Sequence, residues 1–264
     1  MTQDIQHIIK AAQAGGEVLR TYFGQSLVTA QKSTARDFKT KADTESEEAI
    51  IKLLETAFPT YSIFSEERGF MDKKSEYTFY IDPLDGTYNF VLGIPQFSVS
   101  IGLYKNKQAM MGVVHHPILN NTYSAMRGQG ALLNGASIKV SNEVAFPKAT
   151  VAYNCAWNTS EKYQHMLGIE LGKRDFGRLT LMWSPALDLS LLAQGKIEAM
   201  MVHGSELYDF AAGKLIAREA GAKITDFAGA PERNDTNNEF IISNGPAIHD
   251  EVVRALKEIE RQET

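Results

Sequence analysis

Two aspartates three residues apart stand in Tyr80-Ile81-Asp82-Pro83-Leu84-Asp85-Gly86-Thr87-Tyr88-Asn89-Phe90, where an apolar run meets a proline that fixes φ and a permissive glycine. If the backbone folds back there, both carboxylates and the Leu84 carbonyl converge. Two like charges at about 5 Å repel by roughly 3 kcal/mol at an effective dielectric of about 20, and a cation relieves that repulsion. Carboxylate, main-chain carbonyl and water are the donors a hard divalent ion such as Mg²⁺ prefers. Gly86 and Thr87 would then open a short helix, turning backbone N–H groups and the positive end of its dipole toward a phosphate. A metal pair beside an anion pocket is the equipment of phosphoryl transfer to water. Asp-Pro and Asp-Gly are also common turn dipeptides, so a plain turn fits the same residues.

Two further acidic elements stand at the end of an expected strand and the start of an expected helix. Ser65-Glu66-Glu67 follows Tyr61 to Phe64, and Asp209 opens the run Asp209-Phe210-Ala211-Ala212-Gly213. Taken alone, the glutamates fit a solvated loop and Asp209 fits a helix N-cap. The small residues after Asp209 allow its helix to approach another backbone closely. His115-His116 precede Pro117 without the spacing of a zinc pair, and read as structural or solvent-facing. His203 and Glu206 lie just upstream of Asp209.

The elements that must position these groups are legible in the apolar spacing. Ile5, Ile8, Ile9, Ala12, Val18, Leu19 and Tyr22 predict a first helix, with Gly15-Gly16 marking a close contact. Thr44 with Glu47 reads as a capping box for a second, which Pro59 stops. Short alternating runs at 61–65, 77–81, 97–104, 110–114 and 122–126 predict a largely antiparallel sheet, with turns at Gly128-Gln129-Gly130 and Asn134-Gly135. Beyond about Ser141 strands and helices alternate. Ser184 and Pro185 read as N-cap and first residue of a helix closed by Gly195; a strand over 198–202, a helix over 208–220, a strand over 222–225 and a helix over 249–261 follow. This places a boundary between an N-terminal subdomain, 1–140, and a C-terminal one, 141–264.

The 264 residues predict about 11,500 Å² of exposed surface after folding, enough chain for one or two closely joined domains. A net charge of −5 provides no broad cationic surface and argues against nucleic acid and anionic membranes as partners. The lone Cys155 cannot form an internal disulfide, and the first residues lack the pattern of a secretory signal, so a cytoplasmic setting is expected. The most apolar stretch, Phe90 to Tyr104, is too short and too interrupted to span a bilayer as a helix.

Taken in order, these motifs resemble the inositol monophosphatase family of Mg²⁺-dependent, lithium-sensitive phosphatases, which includes fructose-1,6-bisphosphatases and bisphosphate nucleotidases. The resemblance runs from Lys32-Ser33 through Thr40-Lys41-Ala42-Asp43, Ser65-Glu66-Glu67, Asp82-Pro83-Leu84-Asp85-Gly86-Thr87, Gly128-Gln129-Gly130-Ala131 and Asn134-Gly135 to Asp209-Phe210-Ala211-Ala212-Gly213. It implies an α+β fold of the layered α/β/α/β/α type and a homodimer. It implies two to three Mg²⁺ ions: one on Glu66, Asp82 and the Leu84 carbonyl, a second on Asp82, Asp85 and Asp209, and a looser third on Glu66. Asp43 and Thr87, with Glu66, match the catalytic set that orients and deprotonates water, and the Gly86 and Thr87 amides grip phosphate. Glu67 supports the site without ligating.

The substrate side departs from the family pattern. Val202 stands where an acidic residue is usual, seven positions before Asp209, and Trp183-Ser184-Pro185-Ala186 places a tryptophan where glycine is usual. Trp183, Ser184, Glu206 and Asp209, beside Gly86 and Thr87, are the expected substrate contacts. Tyr208 replaces the usual tryptophan, and Tyr88 the usual small polar residue. The expected activity is hydrolysis of a small polyol or sugar phosphate, inositol phosphate by default. Fructose 1,6-bisphosphate and a nucleotide bisphosphate or NADP-type substrate are alternatives, and a non-catalytic regulatory protein on the same fold is an alternative of another class.

Overall fold

The apolar residues Ile5, Ile8, Ala12 and Leu19 line one face of helix α1 (Thr2–Tyr22) and are all buried. The computed structural model describes residues 2–25, 29–31, 38–156, 158–232 and 234–263; Lys32-Ser33 lies outside them. Gly15 and Gly16 mark a close contact. A Cβ at Gly15 would stand 2.7 Å from Ile50 of helix α2 (Lys41–Ala57), and one at Gly16 would stand 2.5 Å from the His115 ring. A short pair, β1 (Thr29–Gln31) and β2 (Phe38–Thr40), precedes α2.

The capping of α2 differs from the expected Thr44 box. Thr40 is the N-cap, and Asp43 at the third helical position returns the bond to the Thr40 amide. Thr40 also satisfies the box pattern, and its extended backbone leaves β2 directly into the helix, so the earlier threonine wins.

The first sheet comprises β3 (Ser62–Ser65), β4 (Gly69–Met71), β5 (Tyr77–Asp85), β6 (Ser98–Lys105), β7 (Gln108–His116), β8 (Asn121–Met126), β9 (Ala131–Leu133) and β10 (Ala136–Ile138), with helix α3 (Thr87–Val91) between β5 and β6. Its order is β10-β9-β8-β7-β6-β5-β3-β4, antiparallel except for β3 beside β5. The second sheet comprises β11 (Thr150–Cys155), β12 (Arg178–Thr180), β13 (Ala199–His203), β14 (Lys223–Thr225) and β15 (Glu239–Ser243), in the order β12-β11-β13-β15-β14. Strands β12, β11 and β13 are parallel, so β11 and β13 end at the same edge. Around them run α4 (Glu161–Gly172), α5 (Pro185–Ala193), α6 (Leu207–Glu219) and α7 (Pro246–Glu263).

The layers follow from where the apolar faces are buried. Helices α1 and α2 close one face of the first sheet through Ile8, Leu19, Ile50 and Leu54. Helices α5 and α6 fill the space between the sheets, where Leu187, Phe210 and Ile216 meet Tyr104 and Val114 on one side and Met200 and Phe240 on the other. Helices α4 and α7 cover the outer face of the second sheet through Leu167, Leu171, Val252 and Leu256. The result is an α/β/α/β/α sandwich with 11780 Å² exposed, close to the surface expected for its length.

Candidate metal-dependent active site

The run Asp82-Pro83-Leu84-Asp85 remains in strand β5 and does not form the turn expected after Ile81. Asp82 pairs with Ser100 and Asp85 with Ser98, so three steps on β5 match two on β6. Side chains three apart on a regular strand face opposite sides; the extra residue of this bulge brings Asp85 back to the face of Asp82. Pro83, which has no N–H to give the ladder, is tolerated at the bulge. The Ser46 hydroxyl donates to the Pro83 carbonyl at 2.8 Å and ties the bulge to α2.

Asp85 is held from two elements, β6 and the start of α5. It accepts from the hydroxyls of Ser98 at 2.8 Å and Ser184 at 2.5 Å, and from the Leu187 amide at 3.1 Å. Ser184 is the N-cap of α5 as expected, but its hydroxyl turns to Asp85, and Asp85 binds the first amides of the helix instead. Burial raises the Asp85 carboxyl to about 6 against these bonds. Asp82 is pushed well above the usual carboxylate range, first by burial and then by Glu66, Asp85 and Asp209. Its Oδ1 accepts from the Leu84 amide at 3.0 Å.

Asp209 stands at the third position of α6, with Glu206 as N-cap in place of the expected Asp209, and accepts from the Glu206 amide at 3.0 Å. Its depth is set by small residues. Gly102 and Gly112 pair across β6 and β7, and a Cβ on them would stand 2.8 Å from Ala211 Cβ and 2.7 Å from the Ala212 carbonyl. The far end of α6 is anchored where the Gly128 and Gly130 amides donate to Glu219. Burial, then Glu66 and Asp85, raise Asp209 well above its ordinary range.

Gly86 has φ +89°, and a Cβ there would stand 2.8 Å from the Gln96 carbonyl, so both conformation and space require glycine. Thr87 opens α3; its hydroxyl faces Asp43 Oδ1 at 3.2 Å and the Leu84 carbonyl at 2.9 Å. Asp43 is fully buried, and burial raises it to about 7 although the Thr40 hydroxyl and amide favour its charged form.

These groups surround one cavity of about 80 Å³ lined by Glu66, Asp82, Leu84, Asp85, Gly86, Thr87, Tyr88, Asn154, Cys155, Ala156, Trp183, Pro185, Ser205 and Asp209. Four of those side chains are carboxylates, and none of these lining side chains is cationic. An all-oxygen set whose aspartate carboxyls are raised by burial, and at Asp82 and Asp209 also by neighbouring acids, fits a hard divalent cation. Among the described residues no three acidic, histidine or cysteine side chains are arranged closely enough to hold a metal ion as they stand, so the fit rests on donor chemistry and burial.

Of the other residues expected at the site, Asp43 lies behind Thr87, and Ser184 lies beneath Asp85. Glu206 is exposed and outside the lining, capping α6. Glu67 is 2.8 Å from Lys39. His115 and His116 are both buried, not solvent-facing; burial lowers His115 to about 4, and its Nδ1 meets Thr122 Oγ1 at 2.9 Å. Tyr208 stacks on Phe64. Val202 is buried in the core.

Asn154, Cys155, Ala156 and Ser205 were not expected in the lining. They come from the ends of parallel strands β11 and β13, where α/β sheets place ligands. No local motif signals them; only the pairing of Cys155 with His203 brings them to the cavity. Asn154 donates to the Ser205 hydroxyl at 2.9 Å, a polar pair in the cavity wall. Burial raises the Cys155 thiol to about 12, which leaves it neutral and a poor nucleophile.

Comparison with known proteins is consistent with this geometry. The family model described as the inositol monophosphatase family matches residues 1–261. A Thermotoga maritima fructose-1,6-bisphosphatase/inositol-1-monophosphatase is 34% identical over 251 residues, covering 95% of this chain and 94% of its own. A Pasteurella multocida protein named Nus factor SuhB is 34% identical over 256 residues, with 94% of each chain covered. A solved Thermotoga maritima IMPase structure superposes with a TM-score of 0.89 at 31% identity, covering 98% of this chain and 99% of that one. The name Nus factor describes a factor and not a hydrolase, and the expected exclusion of nucleic-acid partners is not supported by these relatives.

Proposed function

This chain belongs to the inositol monophosphatase family, and from that premise we propose that it is a Mg²⁺-dependent, lithium-sensitive phosphomonoesterase acting on a small polyol or sugar phosphate, inositol phosphate by default. The observation that carries this reading is the set of four carboxylates around one cavity that also opens on Gly86 and Thr87. Glu66, Asp82, Asp85, Asp209 and the Leu84 carbonyl would hold two to three ions, which supply Lewis-acid stabilisation of the phosphoryl and leaving oxygens. The Gly86 and Thr87 amides orient the phosphate. The Thr87 hydroxyl orients the attacking water and passes its proton toward Asp43 Oδ1, 3.2 Å away. A carboxyl raised to about 7 can hold that proton near neutral pH. The water oxygen forms the new P–O bond as the ester P–O bond breaks, and the leaving alkoxide takes up a proton.

Tyr88 and Trp183 in the lining favour a substrate whose organic part presents a face to an aromatic wall. The test is phosphate release from inositol, fructose, histidinol and nucleotide phosphates, with and without Mg²⁺ and lithium. Mg²⁺-dependent release from at least one is expected. Its absence from every ester sinks the enzymatic reading and favours a regulatory protein, which the similarity to proteins named Nus factor SuhB also supports.

A further inference from the structure

Asn89 lies in the middle of α3, one turn from the phosphate cradle but outside the cavity lining, and is 6% exposed. Its side-chain amide donates to two main-chain carbonyls, Gln96 at 2.8 Å and Met182 at 2.6 Å. Only the NH₂ end of an asparagine can face two carbonyl oxygens, so the chemistry fixes its orientation. The two carbonyls belong to segments far apart in sequence. Gln96 closes the loop after α3, and its carbonyl is the atom that packs on Gly86. Met182 immediately precedes Trp183, which lines the cavity with φ +56°, a left-handed conformation that a bulky residue holds only when its neighbours enforce it. Downstream, Ser184 is fixed on Asp85, while the Gln96 side chain reaches Asp188 at 3.2 Å.

We infer that Asn89 is a positioning residue that sets the substrate-side wall: by tying the Met182 carbonyl to the loop behind Gly86, it fixes Trp183 beside the phosphate cradle. The proposal rests on the phosphatase reading for its kinetic consequence, not for its structural one. Without the amide, the Met182 carbonyl loses its buried donor, and one constraint on the left-handed conformation of Trp183 is removed. The organic part of the substrate then loses its wall, whereas the phosphate keeps its own partners.

The experiment uses the full chain with Trp157→Phe, which leaves Trp183 as the sole tryptophan. Adding Asn89→Ala should shift Trp183 emission to the red and raise its quenching by acrylamide. The same variant should raise KM about tenfold with kcat changed less than about twofold, while inhibition by inorganic phosphate is unchanged. In a Trp183→Gly background, Asn89→Ala should add little further to KM, because both changes remove one wall. Unchanged Trp183 emission and quenching in a folded Asn89→Ala protein overturns the proposal. So does a fall in kcat without a change in KM, or weaker phosphate inhibition in step with KM. If Asn89→Ala does not fold, Asn89→Ser, which keeps one donor, takes its place; loss of fold in both makes Asn89 a fold determinant and also overturns it. A parent protein that hydrolyses no ester refutes the catalytic reading, and the fluorescence arm still decides the tether.

Discussion

At the scale of single residues, the site gathers carboxylates at positions where burial opposes their charge. Asp82 is nearly inaccessible and is pushed well above its usual range by burial and by three neighbouring acids. Asp82→Asn removes one repelling charge and keeps an oxygen for the Leu84 amide, so the variant should be as stable as the parent in the absence of metal. Its turnover should fall by at least about a hundredfold, the upper end of what losing a group that supports a metal ligand costs. Asp43→Asn should lower kcat by about 10²–10⁴-fold, the usual contribution of a general base, with the cap on Thr40 largely kept. Circular dichroism and phosphate release check both; near-parental turnover in Asp82→Asn would remove that residue from the metal site. Asp82, Asp85 and Thr87 are legible because the chemistry is compressed into six consecutive residues. Asn154 and Ser205 are not, because they meet only through the pairing of β11 with β13.

At the scale of elements, the placement of Asp209 depends on how closely α6 lies on the first sheet. The run Ala211-Ala212-Gly213 announces a close approach, but its counterpart, Gly102 opposite Gly112, becomes evident only once the strands are in register. Likewise the spacing of Asp82 and Asp85 suggests a turn, while the register with Ser100 and Ser98 makes it a bulge within a strand. The misplaced caps have the same origin: Thr40 and Glu206 win as N-caps because the chain enters each helix in an extended conformation there. A Cβ on Gly112 would stand 2.7 Å from the Ala212 carbonyl, a backbone atom that moves only if α6 moves. Gly112→Ala should therefore cost about 1–3 kcal/mol, as overpacking does, and weaken Mg²⁺ dependence by lifting Asp209 from its place. Gly172→Ala, where the new Cβ would meet nothing closer than 4.0 Å, should be neutral or slightly stabilising. Urea unfolding with Mg²⁺ titration of activity distinguishes the two; equal behaviour would mean that the glycine pair does not seat α6.

At the scale of the molecule, the net charge of −5 acquires a location. Glu66, Asp82, Asp85 and Asp209 line one cavity, and two Mg²⁺ would bring the net charge to about −1. The same concentration of acids links global stability to pH. Burial raises Asp43 from 3.8 to about 7 and Asp85 from 3.8 to about 6, with Asp82 and Asp209 raised as well. In that interval the folded chain holds protons that the unfolded chain releases. The stability these groups contribute is therefore complete below about pH 4 and is lost as pH rises through about 6 to 7. In chelator, Tm should fall by several degrees between pH 5 and pH 8. Mg²⁺ binds the ionised carboxylates and so competes with those protons, stabilising by about 2.7 kcal/mol at a hundredfold excess over its dissociation constant. The Tm gained from Mg²⁺ should thus grow with pH over the same interval and shrink in Asp82→Asn. Scanning calorimetry at pH 5, 6, 7 and 8 with chelator or Mg²⁺ measures both slopes. A Mg²⁺ increment independent of pH would mean that the ion does not bind at these carboxylates.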